Sequence, residues 1–119
     1  MLPRVLIVDD HAGFRSIARR LLEAGGYEVV GEAADGSSAM QAAHDLRPDL
    51  VLLDIQLPDV DGCQVATWLL AAHSPPTVVL VSSRDAADYG PRLAGCGARG
   101  FVAKADLSGA ALDALLREP

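Results

Sequence analysis

Asp9, Asp10, Asp54, Ser82 and Lys104 are the residues of this 119-residue chain whose types and placement suit joint chemistry. Each follows a short apolar run: Val5-Leu6-Ile7-Val8 leads into Asp9-Asp10, and Leu50-Val51-Leu52-Leu53 into Asp54. Likewise Val78-Val79-Leu80-Val81 leads into Ser82-Ser83, and Phe101-Val102-Ala103 into Lys104. Carboxylates gathered together repel one another unless a cation sits among them. A hard oxygen site with few protein ligands and room for water suits Mg²⁺, or a related divalent cation such as Mn²⁺. A carboxylate facing a metal, a hydroxyl and an ammonium can act as a nucleophile toward a phosphoryl group. The metal and the lysine then neutralise charge on the phosphoryl oxygens. The product, an acyl phosphate, carries roughly −1.5 to −2 charge that the same groups hold. Taken singly, each residue has an ordinary reading: Asp9 or Asp10 as a helix cap, Asp54 as a loop acid, Ser82 as a turn hydroxyl, Lys104 as a solvated charge. Lys104 is the single lysine against nine arginines, which fits either a codon preference or the need for a compact ammonium at that position.

The elements must bring these residues together. The four runs are continuously apolar rather than alternating, as parallel strands read when helices cover both faces. Residues 27–33, with Glu28 and Glu32, read as an edge strand. Between the strands, Phe14, Ile17, Ala18, Leu21 and Leu22 form a helical stripe expected to face the core, ended by Gly25-Gly26. Residues 37–46 form a second helix. Residues 62–72 form a third, with Val65, Trp68 and Leu69 on the buried face and Pro75-Pro76 as the stop. A fourth, near residues 88–94, is expected to have about two turns, with Asp88 as N-cap, Pro91 in the first turn, and docking through Leu93 and Ala94. Residues 108–117 form the fifth, with Leu112, Leu115 and Leu116 inward. This alternation implies a parallel sheet with helices on both faces and right-handed crossovers. Ligands of such sheets bind beyond the carboxyl ends of the strands, where the residues above are placed.

Over its whole length the chain resembles the response-regulator receiver domain of two-component signalling. The resemblance is carried by Leu6-Ile7-Val8-Asp9-Asp10, by Asp49-Leu50-Val51-Leu52-Leu53-Asp54 with Leu57-Pro58 and Asp61-Gly62, by Val81-Ser82, and by Gly97-Ala98-Arg99-Gly100-Phe101 with Lys104. It implies one α/β domain over residues 1–119, with a flavodoxin-like (βα)₅ fold and sheet order 2-1-3-4-5. It implies that Asp54 accepts a phosphoryl group from a sensor histidine kinase. Asp10 would bind Mg²⁺ directly, Asp9 through water, and Asp54 and the backbone carbonyl of Gln56 would complete the protein ligands. Ser82 would be the switch hydroxyl, Phe101 the switch aromatic and Lys104 the phosphate-pairing lysine. Phosphorylation would alter the surface of the fourth helix and fifth strand, with homodimerisation as one consequence and transcription as the expected output. DNA would be bound only through an output domain outside this chain. Two residues depart from the family's commoner pattern: Ala105 stands where proline often follows the lysine, and Phe101 replaces tyrosine. A lysine followed by a non-proline residue is similar to receivers attached to LuxR-type helix-turn-helix outputs. A cis bond before a non-proline residue costs about 2.5–4 kcal/mol, so the Lys104–Ala105 bond is expected to be trans.

Composition bounds the remaining readings. A net charge of −6 argues against this segment itself holding a polyanion. The longest apolar run, residues 68–72, is far short of a membrane span, and the N-terminus does not read as a signal peptide, so a cytoplasmic location is the default. Cys63 and Cys96 lack CxxC spacing and are expected to be small, reduced core residues. His11, His44 and His73 share no metal-ligand spacing, and His11 reads as a solvated loop histidine. Asp59 and Asp61, beside Pro58 and Gly62, read as turn and helix-cap residues. A haloacid-dehalogenase-like phosphatase also uses a strand-end aspartate, but needs an acid two residues later, where this chain has Gln56. A P-loop nucleotide site is excluded because GxxxxGK[ST] is absent. A stand-alone or phosphate-independent receiver acting by protein–protein interaction is the alternative reading.

Overall fold

The computed structural model describes residues 2–84 and 88–117. Its elements alternate: β1 (Arg4–Val8), α1 (Ala12–Ala24), β2 (Glu28–Ala33), α2 (Gly36–Leu46), β3 (Leu50–Asp54), α3 (Gly62–Leu70), β4 (Thr77–Ser82), α4 (Arg92–Gly95), β5 (Gly100–Ala103) and α5 (Gly109–Arg117). The strands form one five-stranded parallel sheet in the order β2-β1-β3-β4-β5, the flavodoxin-like order expected. The negatively charged β2 lies at the edge.

Successive residues of a strand point to opposite faces, and both faces here are covered, which is why the central strands are apolar throughout. Val5, Ile7, Leu50, Leu52, Val79 and Val81 join Ala18, Leu22 and Leu112 in the core under α1 and α5. Leu6, Val8, Val51, Leu53, Val78 and Leu80 join Val65, Ala66 and Leu69 in the core on the other face. Leu115 and Leu116 pack partly buried against the first cluster, as the helical stripe predicted.

Polar caps set the helix starts. Asp35 accepts from the Ser38 amide at 2.8 Å to open α2, Asp61 accepts from the Cys63 amide at 2.7 Å to open α3, and Ser108 Oγ accepts from the Ala111 amide at 3.0 Å in α5. Asp59 reaches across to accept from the Gly36 and Ser37 amides at 2.8 and 3.1 Å. Those donors hold its carboxyl below the usual aspartate range. Neither Asp9 nor Asp10 caps α1, whose N-cap is His11 without a side-chain cap.

Four expectations change. Ile17 and Leu21 are exposed, Ile17 at 55 %, while Ala18 and Leu22 face the sheet. Arg15 Nε and Arg19 Nε bond to the two carboxylate oxygens of Glu32 on β2, at 3.0 and 2.9 Å, consistent with a roll that buries Ala18 and Leu22 and leaves Ile17 and Leu21, half a helical turn from the arginines, in solvent. Trp68 is 46 % exposed rather than core, at a groove of roughly 650 Å³ that it lines with Met40 and Leu69. Val65, Ala66 and Leu69 of α3 are the residues buried in the core, with Cys63 and Leu70 packed partly buried against it, and Trp68 faces the groove beside α2 instead.

The fourth helix is a single turn, with Pro91 rather than Asp88 as its N-cap. Gly90 has φ +62° and Gly97 φ +81°, so the chain breaks on both sides of it. Leu93 docks partly buried on the second cluster; the packing expected of the Ala94 side chain lies outside what is described. Finally, Cys63 and Cys96 are joined in a disulfide. The first turn of α3 and the end of α4 come together in space, which a sequence separation of 33 does not reveal. Among the described residues no peptide bond is cis, and Lys104–Ala105 is trans as expected.

Candidate functional site

The strand register aligns the polar residues on one edge of the sheet. Val8 pairs with Leu53, so Asp9 and Asp54 follow adjacent positions of β1 and β3. Ser82 ends β4 opposite Ala103, and Lys104 follows at once. Asp9 is fully buried, Asp54 is 3 % exposed and Ser82 is buried with them, whereas Asp10 is exposed. Lys104 bridges the strands: its Nζ lies 2.6 Å from Asp9 Oδ2 and 3.4 Å from Asp54 Oδ2. The aliphatic and charged end of Lys104 rests over the Phe14 ring, with Nζ 4.6 Å from its centroid.

The loop after β3 is shaped by Gly62. A Cβ there would collide with the Asp54 carbonyl oxygen and stand 2.6 Å from Ile55 Cα. Glycine lets the loop fold back so that the Gly62 amide donates to the Ile55 carbonyl at 2.7 Å. This holds Gln56 two residues past Asp54, and the Gln56 amide donates to Asp54 Oδ1 at 3.2 Å.

Asp54 is electrostatically loaded. Burial, then the neighbouring charge of Asp9, pushes its pKa up to about 6; the Gln56 amide and Lys104 oppose the rise. Lys104 is close to Asp9 Oδ2, yet its approach is not that of a hydrogen bond, and this buried oxygen has no hydrogen-bond donor. Asp9, Asp10, His11 and Asp54 each offer a ligand atom, all within 4.8 Å of one another. Three carboxylates, two of them beside the one ammonium, with one buried oxygen unsatisfied, form a donor set that fits a hard divalent cation such as Mg²⁺.

Two residues of the edge escaped the sequence reading. His11 is 68 % exposed but not merely solvated: Nδ1 stands 3.1 Å from both Asp9 Oδ1 and Asp10 Oδ1. Its own amide donates to Asp9 Oδ1 at 2.8 Å. Tyr89 Oη lies 2.6 Å from Ser82 Oγ, which also accepts from the Arg84 amide at 3.1 Å. Tyr89 packs against the second core cluster beside Leu93 and Phe101. The available signal was an aromatic residue among small and polar neighbours, seven positions beyond Ser82. Phe101, partly buried in that cluster, is thus on the same face as the segment leading into α4.

Comparison with known proteins agrees with this geometry. The sequence profile of the response regulator receiver domain matches residues 5–115. The response regulator GacA of Pseudomonas viridiflava is 37 % identical over 102 residues, covering 85 % of this chain and 48 % of GacA. The DNA-binding transcriptional activator EvgA of Escherichia coli K12 is 35 % identical over 99 residues, covering 83 % and 48 %. The chain therefore spans about half the length of these curated relatives. Among solved structures, the signal receiver domain of NarL from Mycobacterium tuberculosis superposes with a TM-score of 0.85 at 34 % identity, covering 98 % of each chain. A LuxR-family two-component response regulator from Aurantimonas superposes with the same TM-score at 28 % identity, covering 98 % of this chain and 86 % of that one. The sheet order, the acidic edge with its bridging lysine and the extent of these matches make this chain a member of the response regulator receiver domain family.

Proposed function

We propose that this domain is a phosphorylation-driven switch in which Asp54 takes a phosphoryl group from a sensor histidine kinase and regulates transcription through an output domain. The observation that carries the reading is Lys104 reaching both Asp9 and the buried Asp54 at the carboxyl edge of the sheet. An Asp54 carboxylate oxygen attacks phosphorus. The new P–O bond forms as the P–N bond of the phosphohistidine breaks, leaving its electron pair on the imidazole nitrogen. Lys104 Nζ then pairs with a phosphoryl oxygen. Asp10, Asp54 and the Gln56 carbonyl, with Asp9 through water, would hold a divalent cation, Mg²⁺ or Mn²⁺, which would neutralise charge on the phosphoryl oxygens.

Ser82 carries the signal outward. Its hydroxyl has one proton. Turned to the phosphoryl group, that proton leaves Tyr89 Oη as the donor in the Ser82–Tyr89 bond. The state of Asp54 thus sets the direction of a bond that seats the segment before α4, and Phe101 packs on the same face. The surface of α4 and β5 is the element that phosphorylation biases, and homodimerisation through it or beside it is one readout. The domain acts as a regulatory phosphoacceptor rather than an enzyme with a separate substrate, in the cytoplasm where such kinases present phosphohistidine. DNA is reached only through the output domain. Intact mass after incubation with a small phosphodonor and Mg²⁺ tests this: the protein gains one phosphoryl group and Asp54→Asn gains none. Equal gain by Asp54→Asn overturns the assignment.

A further inference from the structure

The Cys63–Cys96 pair stands between the phosphoacceptor loop and the switch face. Cys63 is in the first turn of α3, directly after Gly62, and α3 is fixed to the sheet by Val65, Ala66 and Leu69. Cys96 caps the C-terminus of α4 and is buried in the same core cluster. Their Cα atoms are 5.2 Å apart, within the range a disulfide spans. The 33-residue separation they close contains β4, Ser82, Tyr89 and α4. A one-turn helix has almost no stability of its own, so α4 is held by the packing of Leu93 and Cys96 on the core, to which the disulfide adds a covalent tie to α3. The chain has only these two cysteines, so intramolecular oxidation has a single outcome.

From this placement we infer that Cys63 and Cys96 form a reversible thiol-oxidation site that, when closed, clamps α4 to α3 and blocks the response of α4. The coreactant class is a low-molecular-weight disulfide. Cys63 is half-buried and Cys96 is the more enclosed, so Cys63 is the thiol that a reagent reaches first. The Cys63 thiolate attacks the reagent disulfide, forming a mixed disulfide and expelling one thiolate. The Cys96 thiolate attacks the Cys63 sulfur, closing the protein disulfide and expelling the second. The two protein thiols lose two electrons and two protons, and the reagent disulfide leaves as two thiols. In a reducing cytoplasm such a pair stands open and closes under oxidation, which makes it a sensor rather than a staple.

The clamp does not depend on phosphate, whereas the blocked response rests on the proposed phosphorylation of Asp54, so the test has two arms. In glutathione buffers of graded ratio, thiol alkylation read by intact mass should pass from two adducts to none in one step, and return on reduction. Two adducts persisting at the oxidised end would overturn the proposal. In the phosphate-free arm, amides of residues 88–97 should exchange at least about ten-fold faster in the reduced protein than in the oxidised one. Equal rates would overturn the clamp, whatever the outcome for Asp54. In the phosphorylated arm, exchange in this segment should change on phosphorylation only in the reduced protein, at equal phosphoryl content. An equal change in the oxidised protein would overturn the block alone. Cys63→Ser, which spares the buried Cys96, should behave as reduced in every buffer; redox-dependent exchange in it would overturn the assignment.

Discussion

At the scale of single residues, Asp54 carries an electrostatic load that its hydrogen bonds to the Gln56 amide and Lys104 offset only in part. Its pKa of about 6 lies above the 3.8 of an unperturbed aspartate because it is buried beside Asp9. Between these values the unfolded chain has released a proton that the folded chain retains, so stability falls as pH rises from about 4 through about 6. Asp54→Asn removes that charge while keeping the shape. It should raise stability at pH 7 by about 1–3 kcal/mol, after allowance for screening at the open end of the site, and by little at pH 4. Denaturant unfolding of the metal-free proteins across this range measures it; equal pH slopes for the two proteins would refute the loading of Asp54. The position of Asp54 at a strand end is legible in the sequence, because Leu50–Leu53 run straight into it. Its proximity to Lys104 is legible only through the family resemblance, because that distance depends on the order in which β1, β3, β4 and β5 pair.

At the scale of elements, the proposed switch rests on two joints. The first is the β3–α3 loop, which closes only because residue 62 has no side chain. Gly62→Ala should drive a methyl group into the Asp54 and Ile55 backbone and cost about 1–3 kcal/mol. Phosphorylation at Asp54 should fall with it, because the Gln56 amide loses its seat; thermal unfolding and phosphoryl incorporation together read the effect. The second joint is the Ser82–Tyr89 bond. Tyr89→Phe removes one hydrogen bond, at a cost of about 0.5–1.5 kcal/mol, and keeps the ring in the core. Amide exchange near residues 88–97 should speed up while that of α1 stays the same, and phosphorylation should alter the segment less. That α4 is short was foreshadowed by Pro91. Its true start was not, because a cap is chosen by the backbone path into the helix and not by the nearest polar residue.

At the scale of the whole molecule, cation binding is favoured by a net charge of −6 and by the three carboxylates gathered at the carboxyl edge. A ligand that binds only the folded state stabilises it by mass action, by about 1.4 kcal/mol at ten times its dissociation constant. Millimolar Mg²⁺ should therefore raise the unfolding midpoint, and Asp10→Ala should remove most of the increase; differential scanning calorimetry with and without chelator checks both. What the sequence determined by itself was the layered parallel fold and the contents of its carboxyl edge. Continuous apolar runs identify strands covered on both faces, and the residue that ends each run must lie at the same edge when all strands run in one direction. What only the tertiary structure decided was relative placement across elements. The roll of α1, the outward Trp68, the seat of Tyr89 on Ser82 and the meeting of Cys63 with Cys96 each depend on which neighbour covers which flank. Periodicity along one segment reports that an apolar face exists, but the energy that orients it comes from contacts with residues distant in the chain.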